Sequence, residues 1–175
     1  MNCESAAKPQ KIIIIGSGGS GKSTLAGELG KKLNLPVIHL DSEFWKPDWV
    51  KPEQEEWLEK LKVLLSEPKW IAEGNYLNSL EYRTGKADTV IFLDFKRSVF
   101  IYRVIKRYFK YRRTTRLDMA EGCGEKIDLE FAKWLWRFPK KVRPQMMEIL
   151  AKYPEKNIII LKNAKDVKEF LKQDT

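Results

Sequence analysis

The chain has 175 residues, 43% of them hydrophobic and 33% charged. At ~150 residues per domain that is about one domain with room for its own core, and the mixture excludes a disordered or membrane-embedded chain. The formal charge of +9, from 33 basic and 24 acidic residues, attracts phosphate, whether on a nucleotide or on nucleic acid.

Residues 1–10 include Glu4, Lys8 and Pro9 and no apolar segment, so they read as a flexible tail and not as a secretory leader. Residues 11–175 are expected to form a single domain. Lys11 to Ile15 is a β-branched run ending at glycine, which predicts a buried strand. Over Lys22 to Leu33, Leu25, Leu29 and Leu33 recur at helical spacing. Pro36 to Leu40 is a second strand, and Asp41 to Pro52 a polar and aromatic loop. Trp57, Leu58, Leu61, Leu64 and Leu65 share one face of the next helix. Lys69 to Ala72 and Thr89 to Leu93 are the third and fourth strands.

Ser98 to Arg113 is amphipathic: Ile101, Val104, Ile105 and Tyr108 line one side, and Arg103, Lys106, Arg107 and Lys110 the other. A further helix begins near Asp128 and carries Phe131, Trp134, Leu135 and Phe138. Pro139 and Pro144 are expected to break or kink it, since proline lacks the donor and clashes with the preceding turn. Trp134, Phe138 and Met146 are expected in the core. Asn157 to Leu161 is the fifth strand. Strands alternating with helices imply an α/β fold, a mainly parallel sheet covered on both faces. The apolar runs all fall far short of the roughly 20 residues of a membrane span. Cys3 and Cys123, with no CxxC pattern, suggest reduced thiols and a cytoplasmic location.

One motif outweighs the rest. Gly16-Ser17-Gly18-Gly19-Ser20-Gly21-Lys22-Ser23-Thr24 satisfies G-x-x-x-x-G-K-[ST], after a strand and at the start of a helix. Glycines let the backbone wrap phosphate oxygens closely, and the helix N-terminus adds partial positive charge. Lys22 can reach the β- and γ-phosphates, and the Ser23 hydroxyl can ligate Mg²⁺. ATP with Mg²⁺ is therefore the expected ligand pair. Ligands of open α/β sheets bind outside the carboxyl ends of the strands, where Asp41, Glu73 and Asp94 fall. One such acid can hold Mg²⁺ through water and one can accept a proton from a substrate hydroxyl. His39, the only histidine, is expected as a packed strand residue.

The charge excess has one location. Nine basic residues and no acid lie between Lys96 and Arg116, and the remaining chain balances 24 against 24. A solvated helix face, a nucleotide clamp and a nucleic-acid grip all fit that segment.

The phosphate loop, Glu73-Gly74-Asn75 after the third strand and Arg103-x-x-x-Arg107 after the fourth resemble the adenylate kinase-like P-loop kinases. Within these, His39-Leu40-Asp41-x-x-Phe44-Trp45-x-Pro47-x-Trp49, Glu73-Gly74-Asn75-Tyr76 and Phe131-x-x-Trp134-x-Trp136 resemble bacterial DNA topology modulation proteins. The resemblance implies a three-layer α/β/α P-loop fold with five strands and a short helical lid over about residues 98–127. It implies that Arg103 and Arg107 act as lid arginines on adenine and phosphates, that Glu73 lies near Mg²⁺, and that Lys162-Asn163-Ala164 borders the adenine. Glu73-Gly74-Asn75-Tyr76 replaces the Asp-Gly-Phe-Pro-Arg of true adenylate kinases, which speaks against AMP as acceptor. The acceptor side is then the loop after the second strand, with Asp41 and Trp45, and Arg83 is a candidate contact for an acceptor phosphate. The expected activity is transfer of the γ-phosphate of ATP to a small acceptor, a nucleotide, a nucleoside or a hydroxylated metabolite. Two other readings stand beside it, a nucleotide-regulated DNA-binding protein using the basic segment and a non-catalytic nucleotide-binding regulator.

Overall fold

The computed structural model describes residues 9–111, Met119, Cys123 and 128–172. Five strands, β1 (Lys11–Gly16), β2 (Val37–His39), β3 (Trp70–Glu73), β4 (Thr89–Leu93) and β5 (Asn157–Leu161), form one sheet in the order β2-β3-β1-β4-β5. Every pairing is parallel, with Ile14 beside Glu73 and Ile91, and His39 also beside Glu73. That register brings Gly16, His39 and Glu73 to the carboxyl edge of three neighbouring strands.

β1 is central because Ile12 to Ile15 are all buried. Alternation sends Ile13 and Ile15 to one face, with Ala72, Val90, Phe92, Trp57, Leu61, Leu80 and Leu135. Ile12 and Ile14 go to the other, against Leu25, Ala26, Leu29 and Phe170. Each such aliphatic side chain contributes roughly 1.5–3 kcal/mol on burial, so the middle strand anchors both layers. The helices are α1 (Lys22–Leu33), α2 (Leu40–Phe44), α3 (Gln54–Leu64), α4 (Leu77–Lys86), α5 (Arg97–Tyr111), α6 (Leu129–Ala151) and α7 (Ala164–Lys172). α1 and α7 cover one face of the sheet, and α3, α4, α5 and α6 the other. The result is the expected three-layer α/β/α arrangement.

Three features differ from the sequence reading. The segment expected as loop over Asp41 to Pro52 holds the short helix α2 and a 3₁₀ turn at Pro47–Trp49. α4 and α7 were not expected. α6 runs for 23 residues through both prolines: the buried stripe Leu135, Phe138, Met146 and Leu150 holds it to the core, and Arg143 pairs two-pronged with Asp94 at 2.8 and 3.0 Å. Residues 1–8 of the expected tail, and Arg112, Arg113 and Arg116 with much of the expected lid, lie outside the described residues.

Candidate functional site

The turn between β1 and α1 is shaped by left-handed backbone. Gly19 has φ +78°, and a Cβ there would lie 2.6 Å from the Phe100 carbonyl oxygen and 2.8 Å from Val104 Cγ2. Only glycine meets both conditions, so the loop is seated directly on α5. A Cβ on Gly18 would meet Phe131 of α6 at 3.0 Å. Lys22 arches back over the loop, its ammonium donating to the Ser17 carbonyl at 3.2 Å. The hydroxyls of Ser17 and Ser20 are buried without a hydrogen-bond partner among the described residues.

Behind the loop lies a carboxylate junction. Ser23 donates its hydroxyl to Glu73 Oε1 at 2.9 Å, and His39 Nδ1 stands 2.8 Å from the same oxygen. Glu73 is 1% exposed, and its Oε2 has no hydrogen-bond partner among the described residues. His39 was expected as strand packing; it is 27% exposed, in the wall of the cleft. The turn after β3 is tied to the loop by Asn75, whose Oδ1 accepts from the Gly16 amide at 3.1 Å.

Arg83 corrects another expectation. It does not reach the cleft but is fully buried, donating to the carbonyls of Gly74 at 3.0 Å, Asn75 at 2.7 Å and Tyr76 at 3.1 Å. Burial pushes its guanidinium down to about 10. Its work is to hold the turn that carries Glu73, Asn75 and Tyr76. Asp94, bound to Arg143, is likewise not in the main cleft.

Asp41, in the first turn of α2, lines the cleft and accepts from the Tyr76 phenol at 2.8 Å. Burial, followed by the Asp41 charge, pushes that phenol far above its ordinary range, so it stays a donor. On the opposite side Arg103 donates to the Ser20 carbonyl at 3.0 Å and lies 4.9 Å over the Phe95 ring. Arg107 also lines the cleft, as does Trp45. Asn163 caps α7, accepting from the amides of Lys165 and Asp166. It borders a smaller hollow of about 470 Å³ that shares Phe95, Arg103 and Ala164 with the main cleft.

The main cleft encloses about 1750 Å³, well above the ~300–1,000 Å³ of a single small-ligand site. It has room for two substrates. Lys22, Ser23, Asp41, Glu73, Arg103 and Arg107 all face it. Sequence reasoning assigned no role to Tyr76, Asn75 or Phe131, although the quoted patterns contain all three. Among the described residues no helix is long and apolar enough to cross a membrane, and no three His, Cys, Asp or Glu gather as a metal cluster.

No protein-family model matches the sequence, and no curated protein does either. Solved structures do. Shikimate kinase from Acinetobacter baumannii in complex with shikimate aligns at TM-score 0.62 and 15% identity, over 94% of this chain and 89% of that one. YorR from Bacillus subtilis in complex with phosphorylated GDP aligns at 0.54 and 18%, over 92% and 91%. Deoxyadenosine kinase from M. mycoides with its products dCMP and dCDP aligns at 0.51 and 18%, over 91% and 94%. At these identities the likeness is one of fold: a three-layer α/β/α P-loop fold of the nucleoside monophosphate kinase type.

Proposed function

We propose that this chain is an ATP-dependent phosphotransferase that phosphorylates a hydroxyl of a small acceptor. The observation that carries the reading is one two-substrate cleft with a phosphate loop on one side and Asp41 on the other. The fold neighbours that are named kinases support the same reaction class.

Lys22 and the loop amides bind the β- and γ-phosphates, and Arg103 and Arg107 close over them from α5. Asp41, held by Tyr76, accepts the proton of the acceptor hydroxyl. The acceptor oxygen bonds to the γ-phosphorus as the bond to the β-phosphate oxygen breaks, and ADP leaves. Glu73 and Ser23 fit Mg²⁺: a buried carboxylate oxygen without a partner and an adjacent hydroxyl are hard oxygen donors, and this ion keeps most of its waters. Held by Ser23 and Glu73, such an ion would supply neutralisation of phosphate charge. His39 positions the Glu73 carboxylate. The hollow beside Asn163 and Arg103 suits the adenine.

Catalysis of this kind is mostly positioning and charge stabilisation, so these groups suffice. The test is ADP release with Mg-ATP across a range of hydroxylated acceptors, with calorimetry of ATP binding alongside. Lys22→Ala is expected to weaken Mg-ATP binding at least tenfold in a folded protein, because it removes the loop's own cation from the phosphates. Unchanged ATP affinity in that variant would sink the reading.

A further inference from the structure

The turn after β3 joins the two halves of the cleft. Glu73 meets Ser23 on the phosphate side, and Tyr76 meets Asp41 on the acceptor side. Between them stands Asn75, half-buried in the cleft wall. The backbone of this turn is fixed. The Gly74 amide donates to the Ile14 carbonyl at 3.2 Å, and the Asn75 carbonyl accepts from Arg83 at 2.7 Å. A Cβ on Gly74 would lie 2.8 Å from Leu40 Cβ, so the turn is pressed onto the residue before Asp41.

The Asn75 side chain is fixed as well, and its orientation follows from its neighbour. A backbone N–H only donates, so the atom 3.1 Å from the Gly16 nitrogen is Oδ1, and the NH₂ occupies the other arm. That NH₂ has no hydrogen-bond partner among the described residues. It is not one of the buried polar atoms left without a partner either, so it opens on the cleft. Gly16 begins the phosphate loop. A donor anchored there, beside the turn that reaches Asp41, stands where the two halves meet. A phosphoryl group passing from the loop to a hydroxyl at Asp41 crosses that place with charge spread over its three equatorial oxygens. A donor held in place beforehand stabilises such charge without reorganisation.

Resting on the phosphotransferase reading above, we infer that Asn75 is a further catalytic residue, whose side-chain N–H donates to an equatorial oxygen of the transferring phosphoryl group. No proton leaves the amide. The acceptor oxygen bonds to phosphorus, the bond to the β-phosphate oxygen breaks, and the hydroxyl proton goes to Asp41. The bond to Gly16 aims the donor.

Asn75→Asp separates the two arms of the amide. It keeps an oxygen for the Gly16 amide and removes both N–H donors at nearly constant volume. Calorimetry of Mg-ADP reports the loop in the absence of a γ-phosphate. The kcat of ADP release from Mg-ATP reports transfer, with water as acceptor and with any hydroxylated acceptor the wild type uses. The expected result is a kcat lower by about 100-fold or more, the scale of one lost oxyanion donor, with Mg-ADP affinity unchanged. A fall of less than about tenfold, below that scale, assigns Asn75 to anchoring the loop and overturns the inference. Asn75→Ala adds no charge, and it decides the matter if Asn75→Asp also weakens Mg-ADP. A kcat that falls further than Mg-ADP affinity by about tenfold or more supports the inference, and a smaller difference overturns it. A wild type that fails to bind Mg-ATP, or binds it and releases no ADP, overturns the phosphotransferase reading itself and this inference with it.

Discussion

Tyr76 shows how one side chain links the two substrates' sides. Its phenol, kept protonated by burial, points a donor at Asp41, while its backbone belongs to the turn that Arg83 grips. Tyr76→Phe removes one hydrogen bond from the proposed base and leaves the phosphate loop untouched. The expected outcome is a fall in kcat of about tenfold, the scale of one lost orienting hydrogen bond, with Mg-ATP affinity unchanged by calorimetry. Arg83 is the stability counterpart. Arg83→Ala strands three carbonyls in the interior and is expected to cost about 2–4 kcal/mol, read as a lower denaturant midpoint at constant m. Burial depresses its folded pKa to about 10, below the unfolded value. Its charged form therefore weighs against the fold at all lower pH, and that cost lifts only above pH 10. From about pH 6 to 9 Arg83 contributes no pH dependence to stability.

At the scale of elements, what the sequence reveals depends on how locally each choice is made. α1 starts at Lys22 and ends at Leu33 as expected, since a glycine turn opens it and Leu25 and Leu29 form its buried stripe. Ser23 and Lys22 were legible because phosphate chemistry dictates their spacing. α4 was not: its sequence LNSLEYRTGK contains Asn, Ser, Thr and Gly, all weak helix formers, and packing against α6 stabilises it. The same non-local packing buries Arg83, so its place could not be read from a loop of polar residues. The Ser23–Glu73–His39 junction needs the register of β2 on β3 before it exists. The prolines of α6 make the point in energy. Each removes one backbone bond and crowds the preceding turn, yet burial of four apolar side chains outweighs both. Pro144→Ala, at an exposed position, is therefore expected to stabilise by about 1–3 kcal/mol. Thermal unfolding checks it, with a midpoint higher by several degrees.

At the scale of the whole molecule, the described cations of α5 divide by direction. Arg103 and Arg107 face the cleft, whereas Lys106 and Lys110 stand exposed on the outer side of α5 with Tyr102 and Phe109. That division favours a nucleotide clamp over a nucleic-acid grip. Duplex DNA is expected to bind weakly and to be lost at moderate salt. A grip instead gives a slope of log affinity on log salt of about −0.9 per phosphate contacted. Filter binding from low to physiological salt separates the two, and nanomolar binding (about 10⁻⁹ M) persisting near ~150 mM salt would reverse the assignment.

The sheet itself has an unfinished side. Among the described residues β5 pairs only with β4, and its run Ile158-Ile159-Ile160 is partly exposed, with Ile160 at 36%. An isoleucine-rich edge is a template on which another chain can add a strand. Lys156 and Lys162 bracket it, so two copies meeting edge to edge bring like charges together. Protection of that kind is colloidal and reaches only about a Debye length, ~10 Å at 0.1 M salt. Concentrated salt, by screening those lysines, would for this chain shorten the time before molecules begin to stick.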